Sequence, residues 1–440
     1  MHVPALELLM IDSFDGHERP SAPTGRYVVV LSDQVQGDRT ASDDVLRSVA
    51  GSSNIASTND FSEGALDLGQ TASADATMFA ELGVGVISAD PERVASIIAA
   101  AGEDSRVLAV EPERTMHALA SPQSLSAEYL RGFRDAAVNL HEHVNGAATR
   151  APEFVDTPEL TWGLQATGVA QSQQSGSGVP ITVLDTGFDL RHPDFGNRQV
   201  NARSFIPGET AQDGNGHGTH CTGTSAGPAD PPAPPGSRRY GAAHAADIQI
   251  GKVLSDQGSG TDSNILAGIN WAIASGSRVI SMSLGANIRE VSQRYEQVGR
   301  RALERGSLIV AAAGNNADRA NGNPGFVGIP ANSRSIMAVG AVDNQLRIAN
   351  FSARSNPVQG GQVDIAAPGV DIYSSWPMDQ RYNTISGTSM ATPHVAGIAA
   401  LWSQQSGATG TSLWALLMRT AQRLELPSLD AGAGLAQAPR

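Results

Sequence analysis

Three side chains able to do hydrolytic chemistry stand in three separate motifs of this 440-residue chain. Asp185 ends the apolar run of "ITVLDTG", His217 lies between glycines in "DGNGHGTHCTG", and Ser389 follows a glycine turn in "SGTSMATPHVAG". A serine hydroxyl becomes a good nucleophile when a neutral imidazole accepts its proton, and the imidazole needs a carboxylate to hold its tautomer. The three residues therefore form a candidate catalytic triad.

Each residue taken alone also has an ordinary structural explanation. Asp185 could cap a turn, His217 could be a buried histidine with satisfied hydrogen bonds, and Ser389 could cap a helix. A fourth motif, "AAAGNNA", ends an apolar run with Asn315, whose amide could donate to an oxyanion beside the Ser389 backbone amide. Four motifs in this chain order favour catalysis over four unrelated structural roles.

The four motifs together resemble those of the subtilisin-like serine proteases, the subtilases, from about residue 161 to near the C-terminus. The segments "HGTHC", "SRRYGAAH" and "GNNADRANG" resemble the proteinase K branch of that family. The resemblance implies a serine endopeptidase that forms an acyl-enzyme, acts on proteins or peptides and needs no cofactor for catalysis. It also implies the roles: Ser389 as nucleophile, His217 as proton shuttle, Asp185 as its orienting group and Asn315 as oxyanion donor.

These residues need a fold that brings distant segments together. Beyond residue 161, short apolar strands alternate with helices, which predicts an α/β fold with a central parallel sheet between two helical layers. Ligands of such sheets bind beyond the carboxyl ends of the strands, where Asp185 and Asn315 lie. The predicted strands are "PITVLDTG", "DIQIGKVL", "RVISMSLG", "SLIVAAAGN", "SIMAVGAVD" and "VDIAAPG", and the predicted helices are "SNILAGINWAIASG", "VSQRYEQVGRRALERG" and "SMATPHVAGIAALWSQQ".

The chain divides into four predicted parts. Residues 1–25 are predicted to be a flexible leader, and residues 26–119 a small ferredoxin-like α+β domain with the order βαββαβ. Residues 120–160 are predicted to be a helix-containing linker, and residues 161–440 the catalytic domain. The resemblance implies that residues 26–119 are an inhibitory prodomain of the I9 type, so that the chain is a zymogen inhibited by its own prodomain.

The end of this prodomain, "VEPERTMHAL", resembles the tail that lies in the active site before self-cleavage. The resemblance implies cleavage between Leu119 and Ala120, with Met116 in an apolar subsite near Leu284 and Ile265. A later cut within 150–160 stays open, because the linker departs from the family pattern.

Substrate contacts are also implied by the resemblance. Two edges would bind an extended peptide as an added strand, a mode that tolerates many sequences. The pocket for the side chain before the scissile bond has no evident acid nearby, so we expect a preference for apolar or aromatic side chains over Lys and Arg. The implied edges are Gly258, Ser259 and Gly260, and Ser283, Leu284 and Gly285; the implied pocket residues are Ala312, Ala313, Gly314 and Gly328.

A structural calcium ion is implied by Asp364 in "VDIAAPG", which matches a family ligand. The carbonyls of Arg334 and Ile336 would complete an all-oxygen set, which suits a hard cation. Asp194 matches a carboxylate of a second family site, but the loop that supplies the remaining oxygens there is replaced by "GPADPPAPPGSRRYG". We therefore expect no ion at Asp194.

Composition narrows the classes of partner. Residues 1–119 hold 19 acidic and 7 basic residues and so carry most of the net charge of −14, which disfavours nucleic acid and anionic membranes. No apolar run reaches the length of a membrane-spanning helix, and the single Cys221 allows no intramolecular disulfide. We expect a bacterial monomer. A secreted location, by an atypical route or after removal of a signal, and a cytoplasmic one both stay open.

Two other functions stay open beside a broad endopeptidase. One is a narrow processing protease for a single peptide precursor. The other is an inactive scaffold that keeps the fold while held permanently by its prodomain.

Overall fold

The computed structural model describes residues 21, 23–89, 91–119, 154–232, 237–356 and 361–440. Most of the predicted leader, most of the predicted linker with its helix, and Ala120 lie outside these residues. The two predicted segments are also shorter than expected. Residues 23–25 already belong to the first strand, and the Phe154 N–H donates to the Asn344 carbonyl at 3.1 Å, so the C-terminal domain begins before residue 161.

The N-terminal domain is an antiparallel sheet with two helices. Its antiparallel strands follow the order β5, β1, β4, β3, the predicted ferredoxin-like arrangement, and a short parallel strand, β2, lies beside β3. In chain order the elements are β1 (Pro23–Leu31), α1 (Arg39–Ala50), β2 (Ile55–Ser57), β3 (Ala76–Phe79), β4 (Val84–Ser88), α2 (Pro91–Glu103) and β5 (Val107–Ala118).

The C-terminal domain is built on a seven-stranded parallel sheet with the order β14, β13, β12, β10, β6, β8, β7. Its strands are β6 (Pro180–Asp185), β7 (Val200–Ser204), β8 (Asp247–Lys252), β9 (Ser259–Thr261), β10 (Val279–Met282), β11 (Leu284–Gly285), β12 (Leu308–Ala312), β13 (Met337–Val342), β14 (Ile365–Pro368), β15 (Ile372–Ser375) and β16 (Tyr382–Ile385). Its helices are α3 (Trp162–Ala166), α4 (His217–Ala226), α5 (Asp262–Ala274), α6 (Gln293–Glu304), α7 (Thr388–Ser406), α8 (Gly410–Thr420) and α9 (Ser428–Ala431). No helix in the described ranges is both long and apolar enough to cross a membrane.

The predicted three-layer arrangement is confirmed by the way the strands bury alternate residues. Leu308 and Val310 of β12 join an apolar cluster with α7, whereas Ile309 and Ala311 join a second cluster with α5 and α6. Side chains of a strand point alternately to the two faces of its sheet, so the sheet lies between two helical layers. All six predicted strands and all three predicted helices are present. The edge strand β7 was missed, since it is only half-buried and its sequence lacks an apolar run.

The N-terminal sheet packs against helices α5 and α6 of the C-terminal domain. In β1, Val29 and Leu31 face the domain's own helices, while Val28 and Val30 belong to the apolar cluster that holds α5 and α6. The sheet is therefore covered on both faces, by its own helices on one side and by the C-terminal domain on the other.

Arg301 of α6 anchors this contact. Its guanidinium is fully buried, donates to the Leu31 carbonyl at 3.1 Å and pairs with Asp33 at 3.3 Å. It fits because residue 83 is glycine: a Cβ built on Gly83 would stand 1.4 Å from Arg301 Nη1. Gly83 also has a φ of +60°, which an L side chain adopts only with strain.

We expect Gly83→Ala to loosen the N-terminal sheet from α6 by about 1–3 kcal/mol, the usual range for overpacking. Amide hydrogen exchange over β3 and β4 measures this change. Gly37→Ala is the matched control, because Gly37 has a φ of +74° but no atom within 4 Å of an added Cβ, so it carries the strain without the clash. Equal exchange in the two variants would contradict the anchoring role of Arg301.

Candidate active site

The carboxylate and the imidazole of the predicted triad meet at the carboxyl end of the sheet. Asp185 is the last residue of β6 and His217 the first residue of α4. Asp185 Oδ1 lies 2.7 Å from His217 Nδ1 and also accepts the Thr186 N–H at 2.8 Å. Both side chains are buried. The pair thus has the geometry in which a carboxylate holds one imidazole tautomer.

Burial and charge act in opposite directions on His217. Burial lowers the pKa of the imidazole because it penalises the cation, but the adjacent Asp185 carboxylate more than offsets this, and the pKa is raised well above its usual range. The other two buried histidines nearby have no such partner. Burial lowers the pKa of His220 to about 3 and that of His394 to about 4, so both stay neutral.

Ser389 is the second residue of α7, so its backbone amide lies among the free amides of a helix N-terminus. Pro393, four residues later, has no N–H, which leaves the Ser389 carbonyl without its intrahelical partner. Ser283 Oγ donates to this carbonyl at 2.7 Å, and Cys221 Sγ lies 3.6 Å from it. Cys221 Sγ is also 3.9 Å from His217 Nδ1, so the thiol packs between the histidine and serine segments.

Asn315 is held so that its amide points into the site. Its Oδ1 accepts the Thr388 backbone N–H at 2.9 Å and the Thr388 hydroxyl at 2.8 Å. The remaining Nδ2 donates to the Leu119 carbonyl oxygen at 2.5 Å, and Ser389 Oγ lies 2.5 Å from the same oxygen. His217 Nε2 is buried with no hydrogen-bond partner among the described residues. With the Leu119 carbonyl in place, the serine hydroxyl is directed to that carbonyl rather than to the imidazole.

The end of β5 lies between the two predicted substrate edges as an added strand. It pairs antiparallel with β9 on one side and with β11 on the other. The Ala118 N–H donates to the Gly258 carbonyl at 3.0 Å, and the Leu119 N–H donates to the Ser283 carbonyl at 3.2 Å. The two sets of predicted edge residues therefore face one extended segment of the chain itself.

The predicted pocket residues lie in neighbouring, hydrogen-bonded segments. The Gly328 N–H donates to the Ala313 carbonyl at 3.2 Å, which joins the 312–314 segment to the 328 segment. The Leu119 side chain lies against Gly285, where a built Cβ would be 3.1 Å from Leu119 Cδ1. Three residues earlier, Met116 is fully buried in the apolar cluster that includes Leu284 and Ile265.

Asp364, the implied calcium ligand, is buried next to donors of its own chain. Its Oδ2 accepts the Ala338 N–H at 2.8 Å and its Oδ1 accepts Gln362 Nε2 at 3.0 Å. Burial nevertheless raises the pKa of Asp364 to about 6. One buried carboxylate whose charge is poorly compensated fits a single hard cation, with Arg334 and Ile336 as the implied carbonyl donors.

Asp194 has different partners. Its Oδ2 accepts the Tyr240 hydroxyl at 2.6 Å and the Tyr382 hydroxyl at 2.9 Å. Arg381 Nη2 also lies 3.8 Å from Asp194 Oδ1, whereas Asp364 has no ion pair among the described residues. The absence of an ion at Asp194 stays a prediction. Within the described ranges, three metal-binding side chains come together only at Asp185, His217 and Cys221, where the first two are already paired.

Three roles in the site were not predicted from the sequence, although Ser283 itself was named there as part of a substrate edge. Thr388 orients Asn315, Ser283 Oγ binds the Ser389 carbonyl, and Thr186 supports Asp185. Each is a small hydroxyl residue whose role depends on a partner far away in the chain. Their only sequence signal was their position beside a residue already singled out.

The arrangement holds a peptide carbonyl against a serine hydroxyl and an amide donor, with an imidazole–carboxylate pair at the same strand ends. Chemically this is a nucleophile, a proton acceptor with its orienting group, and a donor for a developing oxyanion.

Comparison with known proteins finds one family over this domain. Residues 176–435 match the Subtilase family. The chain is 41% identical over 251 residues to the M-protease of Shouchella clausii (strain KSM-K16) and to Subtilisin Savinase of Lederbergia lenta, and 37% identical over 250 residues to Thermitase of Thermoactinomyces vulgaris. These matches cover 56–57% of this chain and 60%, 85% and 83% of the respective relatives. The placement in the proteinase K branch stays a prediction.

We expect Asp185→Asn to lower the pKa of His217, because the carboxylate that offsets the burial penalty is removed. Since the folded pKa lies above the ordinary 6.5, the pair stabilises the fold below about pH 6.5, and this contribution is lost as the pH rises through the raised value. Histidine side-chain NMR in a Ser389→Ala background measures the titration, and denaturant unfolding between about pH 5 and pH 9 measures the stability. His220 and His394 are internal controls that stay neutral near pH 6. An unchanged His217 titration in Asp185→Asn would refute the assignment of the shift to Asp185.

Proposed function

The chain belongs to the subtilase family of serine endopeptidases, and from this premise we propose that it is made as a zymogen that hydrolyses peptide bonds through Asp185, His217 and Ser389. Subtilases need no catalytic cofactor, and these residues together with Asn315 supply every group that the reaction requires. Residues 26–119 act as its inhibitory prodomain.

The reaction proceeds in two stages. Ser389 Oγ attacks the scissile carbonyl carbon while His217 Nε2 takes its proton, and Asp185 stabilises the resulting imidazolium. Asn315 Nδ2 and the Ser389 amide bind the oxyanion. His217 then gives its proton to the leaving amine, which breaks the peptide bond and leaves an acyl-enzyme. Water, deprotonated by His217, hydrolyses this ester and restores the serine.

One observation carries the proposal: the carbonyl of Leu119 lies within hydrogen-bond distance of both Asn315 Nδ2 and Ser389 Oγ. The chain leading to it is bound as an extended strand on both substrate edges. Residues 115–119 are therefore bound as a substrate would be, which supports cleavage after Leu119, before Ala120. The Leu119 side chain against Gly285 and Met116 in a buried apolar cluster support a preference for apolar side chains.

Strand β5 also supports inhibition by the prodomain, because two of its acidic side chains cap helices α5 and α6 of the catalytic domain. Glu113 Oε1 accepts the Ser263 N–H at 3.0 Å at the start of α5, and Glu111 Oε1 accepts the Gln293 N–H at 2.6 Å at the start of α6. A carboxylate at a helix N-terminus satisfies free amides and interacts favourably with the helix dipole. These caps hold the strand in the site from one side.

Ion pairs between the two domains all have the same polarity within the described residues. Each places an acid of residues 26–119 against an arginine of the catalytic domain. The pairs are Asp33 with Arg300 and Arg301, Glu63 with Arg203, Glu81 with Arg305, and Glu111 with Arg294. Exposed pairs add little stability singly, but a shared polarity favours association of the acidic segment with its own catalytic domain.

We expect the wild-type chain to cut itself and give a mature fragment beginning at Ala120, or further on if the linker is trimmed. Ser389→Ala should remain uncut, because the nucleophile is gone. Asn315→Ala should cut roughly 10²–10³ times more slowly, a magnitude that we take from the corresponding amide of this same family rather than from the geometry. N-terminal sequencing and the time course of cleavage measure both.

A fluorophosphonate probe separates this proposal from the inactive scaffold. The enzyme is supported if the processed chain is labelled and Ser389→Ala abolishes the labelling. Absence of labelling after removal of the prodomain would sink the proposal.

Asn316→Ala is the matched control for the slow self-cleavage of Asn315→Ala. Asn316 bonds to Asn287 and Phe326 rather than to the Leu119 carbonyl, so this variant should cut at nearly the wild-type rate.

We also propose that Asp364 binds a structural calcium ion. Because burial raises its pKa to about 6, the ion-free fold loses stability as the pH rises from about 4 to 6, where the carboxyl ionises. Calcium should raise the melting temperature above pH 6, and Asp364→Asn should abolish that rise. Calorimetry with calcium or a chelator tests this. Asp194→Asn is the control, and its melting temperature should still rise when calcium is added. A full calcium response in Asp364→Asn would contradict the site.

A further inference from the structure

The single lysine of the chain is buried behind the active site. Lys252 ends β8 and stands opposite Asp185 in the parallel pairing of β8 with β6. Its side chain is fully buried, whereas a lysine side chain normally keeps its ammonium in water. A buried ammonium is costly unless it is paired and its hydrogen bonds are made.

The Lys252 ammonium makes two hydrogen bonds and a further ion pair. It donates to the Thr186 carbonyl at 2.5 Å, to Asp256 Oδ1 at 2.7 Å, and pairs with Glu209 Oε2 at 3.1 Å. The three acceptors come from three segments that are distant in sequence. A planar guanidinium could not reproduce this arrangement, because its donors lie in one plane.

Two of these acceptors, Thr186 and Asp256, support the imidazole–carboxylate pair. Thr186 follows Asp185 directly, and its N–H donates to Asp185 Oδ1. Its hydroxyl accepts the Gly218 N–H at 2.9 Å, at the start of the helix that carries His217. Asp256 accepts the Gly214 N–H at 3.0 Å, in the loop that leads to His217. Lys252 therefore links the supports of both catalytic side chains.

Asp256 also supports a substrate edge. Asp256 lies in the turn before β9, where the Gly258 N–H donates to the Ser255 carbonyl at 2.8 Å. The carbonyl of Gly258 in turn accepts the Ala118 N–H of the bound strand. Glu209 Oε2 accepts the Asp256 N–H at 3.1 Å, which closes the network around the ammonium. The position of this edge thus depends on where Lys252 holds Asp256.

We propose that Lys252 is a positioning residue that couples the Asp185–His217 pair to the 258–260 substrate edge. The inference rests on the proposed peptidase function. Lys252 touches no substrate, and its effect is to hold two parts of the site at a fixed separation. A displacement of about 1 Å between reacting groups is enough to cost on the order of 100-fold in rate.

The test is the steady-state kinetics of Lys252→Met, per active site titrated with a fluorophosphonate. Methionine keeps most of the side-chain volume and removes all three contacts. For an extended peptide that pairs with the 258–260 edge, kcat/KM should fall about 10- to 100-fold, with a rise in KM. For a single-residue ester, which does not reach that edge, KM should change little and kcat should fall. The split between the two substrates is a readout that a loss of stability alone does not produce.

Asp256→Asn covers the case in which Lys252→Met does not fold. Asp256 is 44% exposed, so its neutralisation leaves the lysine paired with Glu209 while weakening the link to the edge. Asparagine keeps an Oδ1 that can accept the Gly214 N–H, so the loop before His217 stays supported. KM for the extended peptide should therefore rise, and the ester kinetics should change much less than in Lys252→Met. Arg319→Met is the matched control for a lost ion pair, because Arg319 pairs with Asp430 outside this network.

The outcomes distinguish this inference from the function on which it rests. If the wild-type chain is not labelled and cuts nothing, the proposed peptidase function fails. If the wild-type chain is active and Lys252→Met and Asp256→Asn show wild-type KM and kcat on both substrates, the positioning role is overturned. Equal losses on both substrates in the Asp256→Asn variant would also overturn it, because the edge would then not be what the network positions.

Discussion

A carboxylate that is 1% exposed at the end of a parallel strand is stable only if its surroundings supply charge and donors, and Asp185 is such a group. The His217 imidazole and the Thr186 N–H satisfy one of its oxygens. Each of these partners is itself held: Thr186 by Lys252, and the start of the His217 helix by the Thr186 hydroxyl and by Asp213, which accepts the Gly216 N–H. The turn after β6, the loop before α4 and the end of β8 therefore all contribute to the support of one buried charge, the Asp185 carboxylate.

The serine side of the site is built by a different physical device, a free helix terminus. Pro393 releases the Ser389 carbonyl from its helical partner, and Ser283 and Cys221 occupy it. Ser283 also offers its own carbonyl to the Leu119 N–H, so one residue braces the nucleophile and binds the substrate strand. Rigid placement of the hydroxyl thus follows from backbone groups that proline and helix geometry leave unpaired.

The sequence alone predicted those parts of the fold that depend on local sequence patterns. Continuous apolar runs predicted the central strands, and the capped apolar periodicity of residues 26–119 predicted the βαββαβ domain. The edge strand β7 escaped because its residues alternate between half-buried and exposed positions without an apolar run. The sequence did not predict the roles of Thr388, Arg301 and Lys252 for another reason. Their roles arise from single contacts between segments far apart in the chain, and no periodicity or spacing encodes such a contact.

In the proposed zymogen, inhibition requires that strand β5 stay bound, whereas cleavage requires that its end react. The contacts that would serve these two requirements lie in different places. The bonds at Leu119 present a carbonyl to Ser389, which favours cleavage of that bond. The contacts that retain the segment lie elsewhere: Glu111 and Glu113 cap two helices, and Val28 and Val30 bury the sheet against them. Breaking the bond after Leu119 removes none of these contacts. Under the proposed function the cut prodomain would therefore stay bound, and its release would require loss of the docking on α5 and α6 rather than any change at the triad.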